Sequence, residues 1–337
     1  MKANFVSTYS LLNGPRLFAK QAQVKLAQLN QEMLESRYAD VGLALGAKTG
    51  KSTLLYQEAA RLDKLSTSNA LVTNNLSVTQ TTLDKLRENA DSMMSNLITI
   101  MASDAASSTV MDNAALELQD MVDQLNSSNA GVYLFGGIAT NQAPMKDASG
   151  NVTDAFNNYF SGVSLFDISK ADIEAFLADN DFTKLFTTDW EGSWSSASST
   201  NLRTQISLTE NVETSVNANN SAFQKMAKAY SMLSALPLNQ LNSEASDAVL
   251  NAAIEVLGSA LDDITLAQSN LGRVENRVTS ATEKMLIQKD LLEASITELE
   301  GVDPYEAKVA YDLVETQINM SYSLTARLQS LSLLNYI

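Results

Sequence analysis

From Leu62 onward, apolar residues recur at alternating intervals of three and four: Leu62, Leu65, Asn69, Val72, Leu76, Thr79, Leu83, Leu86, Ala90, Met93, Leu97 and Ile100. Only Asn69 and Thr79 are polar. A 3.5-residue repeat held this long predicts a left-handed coiled-coil seam on one helix, reaching roughly 60 Å at the α-helical rise. The C-terminal half carries the same repeat through Leu250, Ile254, Leu257, Leu261, Ile264, Gln268 and Leu271. After two consecutive spacings of three, which predict local overwinding, it resumes at Val274, Val278, Ala281, Met285, Gln288, Leu292, Ser295 and Leu299. Gly301 and Pro304 predict a stop and a restart. Leu313, Gln317, Met320, Leu324, Arg327, Leu331 and Leu334 then line a final helix. At the other end, a helix from about Pro15 to Ser36 has Leu17, Val24, Leu26, Leu29 and Met33 as its apolar positions. That stripe is thin, so the terminal helices are expected to order only against each other or against neighbouring copies.

Between the helical halves, from Gly136 to about Asn242, the heptads stop. Gly136-Gly137, Asp147 to Asn151, Phe156 to Phe160 and the Ser-rich run from Ser193 to Thr200 read as turns between short strands or irregular segments. Trp190 and Trp194 fall here and are expected to anchor packing. The predicted fold is therefore mainly α: a long antiparallel coiled-coil helical rod formed by both chain ends, with a middle α+β or β-rich insertion domain. Residues 1–45 with 302–337 are expected to form a terminal-helix core, 46–135 with 243–301 a coiled-coil rod, and 136–242 an outer insertion domain.

The composition removes most chemistry. With no His and no Cys among 337 residues, Ser-His-Asp and Cys-His nucleophiles, His- or Cys-based zinc sites and disulfides all lose their required side chains. A net charge of −16 repels phosphate backbones and anionic lipid surfaces, so neither nucleic acid nor a membrane is an expected partner. The most apolar stretch, Met93 to Ala102, is far shorter than a span, and the first residues carry no cleavable signal-peptide pattern. Gly46-Ala47-Lys48-Thr49-Gly50-Lys51-Ser52-Thr53 is one residue short of a phosphate-binding loop and follows no apolar strand; it reads as the connection between two helices. Asp167, Asp172, Glu174, Asp179, Asp181, Asp189 and Glu191 form an acidic surplus that lacks the spacing of a calcium loop and reads as a solvated face. The chain is expected to have no catalytic residues, no metal and no cofactor.

Three stretches resemble the flagellin superfamily, and within it the hook-associated junction type. Asn129-Ala130-Gly131-Val132-Tyr133-Leu134-Phe135-Gly136-Gly137 is similar to the family's tyrosine, apolar, phenylalanine, glycine signature. Leu271-Gly272-Arg273-Val274-Glu275-Asn276-Arg277 is similar to its C-terminal Leu-Gly-x-Arg-x-Asn-Arg stretch, and Leu328 to Ile337 resembles its apolar terminal helix. Glu35 to Gly42 departs from the segment many members carry after the first helix. The resemblance implies a structural subunit at the hook–filament junction, exported unfolded through the flagellar channel and extracellular in place. It implies as partners other copies of itself, the hook-side junction protein, flagellin, an export chaperone and the export apparatus. Leu17, Val24, Leu29, Met33, Leu313, Met320, Leu324, Leu331, Leu334 and Ile337 are then the expected assembly contacts. A filament flagellin is the alternative within the family.

Overall fold

The computed structural model describes residues 8–101 and 107–334. The described residues are mainly helical. In order, it forms α1 (Thr8–Glu35), α2 (Val41–Leu45), α3 (Thr49–Met101), α4 (Ser107–Leu125), β1 (Ser128–Asn129) and β2 (Val132–Tyr133). Then follow α5 (Ser149–Tyr159), α6 (Lys170–Ala178), α7 (Asn180–Thr183), the single turn α8 (Trp190–Ser193), β3 (Arg203–Gln205) and β4 (Asn211–Glu213). The chain closes with α9 (Ser221–Ala235), α10 (Ser243–Glu300) and α11 (Pro304–Leu334). These elements divide into two compact units, Met1–Lys64 with Met285–Ile337, and Leu65–Lys284.

In the Leu65–Lys284 unit, α3 and α10 run antiparallel. The Asn69 amide donates to Thr282 Oγ1 at 2.9 Å, and the Gln80 amide donates to the Gln268 carbonyl at 2.9 Å. The heptad pattern produces this pairing by putting one apolar stripe of each helix out of water. Val72, Leu76, Leu83, Leu86, Met93 and Leu97 of α3 are buried, as are Leu257, Ile264, Leu271 and Val278 of α10, while Leu65 and Leu261 are half-buried. The two polar interruptions are buried as well, and each is bonded. Asn69 Nδ2 also donates to the Ile206 carbonyl at 2.8 Å, and Thr79 Oγ1 donates to the Asn75 carbonyl at 2.8 Å.

The middle of this unit is α+β, with short helices doing most of the packing. Asp147 to Asn151 leads into α5, and Phe156 to Tyr159 lie within it, where turns are expected from the sequence. The aromatic spacing explains the difference, because Phe156 and Phe160 are one helical turn apart and pack their rings at a tilt of 51°, with centroids 4.9 Å apart. Phe176, Phe182 and Phe186 extend the cluster to Trp194, whose ring lies nearly parallel to that of Trp190 at 5.7 Å. Both Trp residues are fully buried. Strands β3 and β4 form a two-stranded antiparallel ribbon with Thr204 opposite Val212, and α4 packs on α9.

In the other unit, α1 and α11 pair antiparallel. Ser321 Oγ donates to the Pro15 carbonyl at 3.0 Å, and Gln23 Nε2 donates to Tyr322 Oη at 2.8 Å. Helix α1 begins at Thr8, ahead of the start expected at Pro15, so the proline sits inside it and the carbonyl four residues earlier lacks its helical donor. Helix α3 likewise begins at Thr49, well before Leu62. The stretch read as a loop is in fact a 3₁₀ turn over Gly46–Lys48 followed by the first turn of α3. Leu62 and Met285 are buried in this unit, and Leu292 is half-buried.

Candidate assembly surface

The hinge between the long helices of the terminal unit is organised by one carboxylate. Glu300, the last residue of α10, is 2% exposed, which is costly for a charge without partners. Arg37 Nε stands 2.7 Å from its Oε2, Tyr56 Oη donates to Oε2 at 3.0 Å, and the Ser52 hydroxyl donates to Oε1. Burial first, and then the hydrogen bond to Glu300, push the Tyr56 hydroxyl above its ordinary value. The backbone joins the same knot: Tyr38 N donates to the Glu300 carbonyl and Val302 N to the Ser36 carbonyl, both at 3.0 Å. Gly301 has no room for a side chain, since a Cβ would lie 2.5 Å from the Thr297 carbonyl oxygen. The turn after α1 and the turn before α11 are thus tied together. Sequence reasoning missed this cluster because Glu300 lies about 250 residues from its partners and no motif links them, although Ser52 falls in the Gly46–Thr53 stretch.

From this knot α1 and α11 run side by side with two unlike faces. Inside the pair lie Ala19, Ala22 and Leu29 of α1 with Ala307, Ile318 and Ser321 of α11. These are mostly small side chains, and small side chains let helices approach closely. Outside lie Leu17, Phe18, Val24 and Leu34 of α1, and Tyr305, Val309, Leu313, Met320 and Leu324 of α11. Met320 is 65% exposed. Leu17 and Val24 are one heptad apart, and Leu313, Met320 and Leu324 follow intervals of seven and four, so each set forms a continuous ridge. Phe18, Met320 and Leu324 line a shallow groove of about 350 Å³ between the helices, together with Pro15 and Gln317. An apolar ridge of this length left in water is the mark of a surface that other protein covers.

The structure therefore sorts the expected assembly residues. Leu29 is buried and Met33 half-buried within the chain, whereas Leu17, Val24, Leu313, Met320 and Leu324 face outward. Leu331 and Leu334 lie in the last turns of α11, where only the backbone is described, and Ile337 lies outside the described residues.

The remaining candidates have structural roles. Among the described residues, no cluster of acidic side chains is placed to hold a metal ion. Two members of the acidic surplus cap helices: Asp172 completes a capping box with Ser169 at the start of α6, and Asp179 accepts from Asp181 N at the start of α7. Hydrogen bonds from Ser169 hold the Asp172 carboxyl below its ordinary value. Lys184 pairs with Asp181 at 2.7 Å. The glycines of the Tyr133–Gly137 signature are required by close backbone approach. A Cβ on Gly136 would lie 2.6 Å from the Ala139 carbonyl oxygen, and one on Gly137 only 2.4 Å from that of Ser198. Phe135 is fully buried edge-on to Phe223 at 5.7 Å.

Comparison with known proteins agrees with this architecture. Residues 6–140 match the family model for the bacterial flagellin N-terminal helical region, and residues 254–337 match that for the bacterial flagellin C-terminal helical region. No curated protein matches the chain. A solved structure described as a flagellar hook-associated protein from Vibrio parahaemolyticus superposes with a TM-score of 0.54 at 12% identity, covering 75% of this chain and 97% of that one. At that identity the likeness is one of fold. No helix among the described residues is long and apolar enough to cross a membrane. With both helical regions matched, at the two ends where the long helices lie, the chain belongs to the flagellin family, whose members are structural subunits of the extracellular flagellum and not enzymes.

Proposed function

We propose that the chain is the subunit of the hook–filament junction, adapting a hook-side junction protein to the first layer of flagellin. The observation that carries the assembly part of this reading is the outward apolar ridge of Leu313, Met320 and Leu324 on α11, beside Leu17 and Val24 of α1. The inner face of the same helix pair is already packed. A ridge that its own chain does not cover needs neighbouring copies, and residues 1–45 with 302–337 then form the inner tube of the assembly. Residues 46–135 with 243–301 form a coiled-coil rod, and 136–242 an insertion domain. What favours the junction over the filament is the Tyr133-Leu134-Phe135-Gly136-Gly137 signature, together with the shared fold of the Vibrio hook-associated protein. The subunit is exported unfolded by the flagellar export apparatus with a chaperone.

Deletion of the gene tests the assignment. Loss of a junction subunit leaves hooks intact by electron microscopy while flagellin monomer accumulates in the medium. Normal hooks with assembled filaments of altered composition would instead make the chain a filament flagellin.

A further inference from the structure

A concave feature of the Leu65–Lys284 unit takes no part in the assembly surface described above. It is a cavity of about 660 Å³ between the chain around the β3–β4 ribbon and the middle of α10, with Asn201, Glu213, Ser215 and Asn217 on one side and Leu271 and Arg273 on the other. That volume lies within the range of small-ligand sites. Its polar wall is rigid. Asn217, 9% exposed, is held by its amide donating to Asn201 Oδ1 at 2.8 Å and by its Oδ1 accepting from Asn219 N at 2.9 Å. Ser215 Oγ accepts from Leu202 N at 2.8 Å. A wall fixed before a ligand arrives has little ordering entropy left to lose.

The bonding capacity left over is balanced. Arg277 is engaged by Glu210, which accepts from its Nε at 2.9 Å and its Nη2 at 2.6 Å. Arg273 spends only Nη2, on Asn270 Oδ1, so its other N–H groups remain donors. Glu213 offers a carboxylate that only accepts, the Asn201 amide nitrogen donates, and the Ser215 hydroxyl still has a proton to give. One cation and one anion are thus left, and the wall is neutral overall. Beside it, Val216, Leu271 and Val274 present apolar surface to the same space.

We propose that this cavity binds a neutral sugar of the hexopyranose class. A ring hydroxyl both donates and accepts, which matches a wall with separate donors and acceptors side by side, and the C–H face of the ring matches the apolar floor. The neutral wall disfavours a carboxylated sugar. The site stands apart from the junction assignment, since a subunit placed elsewhere in the flagellum keeps the same cavity.

The test uses the purified full-length monomer. Glucose, galactose and mannose are titrated by saturation-transfer NMR beside glucuronic acid and the acyclic control 1,6-hexanediol. At least one neutral hexose should saturate, with hexanediol inert and glucuronic acid at least tenfold weaker. Arg273→Ala should weaken binding tenfold or more and Arg273→Lys should restore part of it, both with unchanged thermal unfolding because Arg273 is exposed. Asn201→Ala, on the opposite wall, should weaken binding as well. The proposal is overturned by any of three results: no hexose saturates, glucuronic acid binds as tightly as the best hexose, or Arg273→Ala binds like the parent chain.

Discussion

Arg37 Nε lies 2.7 Å from the carboxylate of Glu300, a residue 263 positions away along the chain that is almost wholly buried at the end of α10. The arginine is half in water, the glutamate is not, and the pair is therefore asymmetric. Arg37→Met strands a buried charge on two hydroxyls and should destabilise the terminal unit by about 3 kcal/mol. Glu300→Gln keeps hydrogen-bonding capacity for Ser52 and Tyr56 while removing the charge, and should cost only about 1 kcal/mol. Urea unfolding with hydrogen exchange at the Tyr38 amide, which donates to the Glu300 carbonyl, gives the order of the two effects. Equal losses would show that the ion pair is not what holds the turn.

Gly137 and Gly131 both have positive φ, at +60° and +81°, yet their surroundings differ. A methyl group at Gly137 would meet the Ser198 and Thr200 carbonyl oxygens at 2.4 and 2.6 Å, while Gly131 has nothing within 4 Å. Gly131→Ala should cost about 1 kcal/mol from backbone conformation alone. Gly137→Ala should cost more than about 3 kcal/mol, because Ile138 N and Ser198 N lose their carbonyl partners as the chain shifts. Thermal unfolding of the two variants separates the steric from the conformational contribution.

The carboxyl of Glu117 on α4 is raised above its ordinary value, first by burial and then by Asp120 one turn away; a hydrogen bond with Asn89 opposes the shift. The folded unit therefore binds a proton more readily than the unfolded chain between pH 4.5 and the raised value. In that window stability falls as pH rises, and the penalty is complete once the pH exceeds the raised value. Glu117→Gln should raise stability at pH 7 and flatten this part of the profile, as read by urea midpoints from pH 4.5 to 7.5. The buried Tyr230 hydroxyl, raised by burial and by the same two carboxylates, stays protonated throughout.

The two faces of α11 should answer differently to mutation. Met320→Ser with Leu324→Ser alters only exposed positions and should change monomer stability by no more than about 0.5 kcal/mol, while abolishing incorporation at the hook tip. Ile318→Ala removes a buried side chain and should cost about 2–3 kcal/mol in the isolated monomer. Circular dichroism of the secreted monomer and immunolabelling of hook tips read the two properties separately. Normal incorporation of the double Ser variant would remove the ridge from the assembly contacts.

What was legible in the sequence follows from periodicity. The long helices α3 and α10 were recoverable because a 3.5-residue repeat has one geometric solution, a helix with an apolar stripe, and every turn repeats the signal. The polar Asn69 and Thr79 are buried beside the apolar positions of α3. The absence of His and Cys, likewise, removed whole classes of chemistry without reference to any fold.

Tertiary structure decided the rest. Helix α11 carries apolar residues on two faces, and the stronger pattern, Leu313, Met320 and Leu324, points outward while Ala307, Ile318 and Ser321 pack on α1. Periodicity reports that a face is apolar but not what covers it, since burial within a chain and burial between chains leave the same imprint on sequence. The α5 aromatics read as a turn because Asn157-Asn158 resembles one locally, whereas the one-turn spacing of Phe156 and Phe160 favours the helix only once Phe176 packs against both. Glu300 and Arg37 had no signal at all. A buried ion pair is a contact between two ordinary residues, and nothing about either announces the other until the chain brings them within hydrogen-bonding distance.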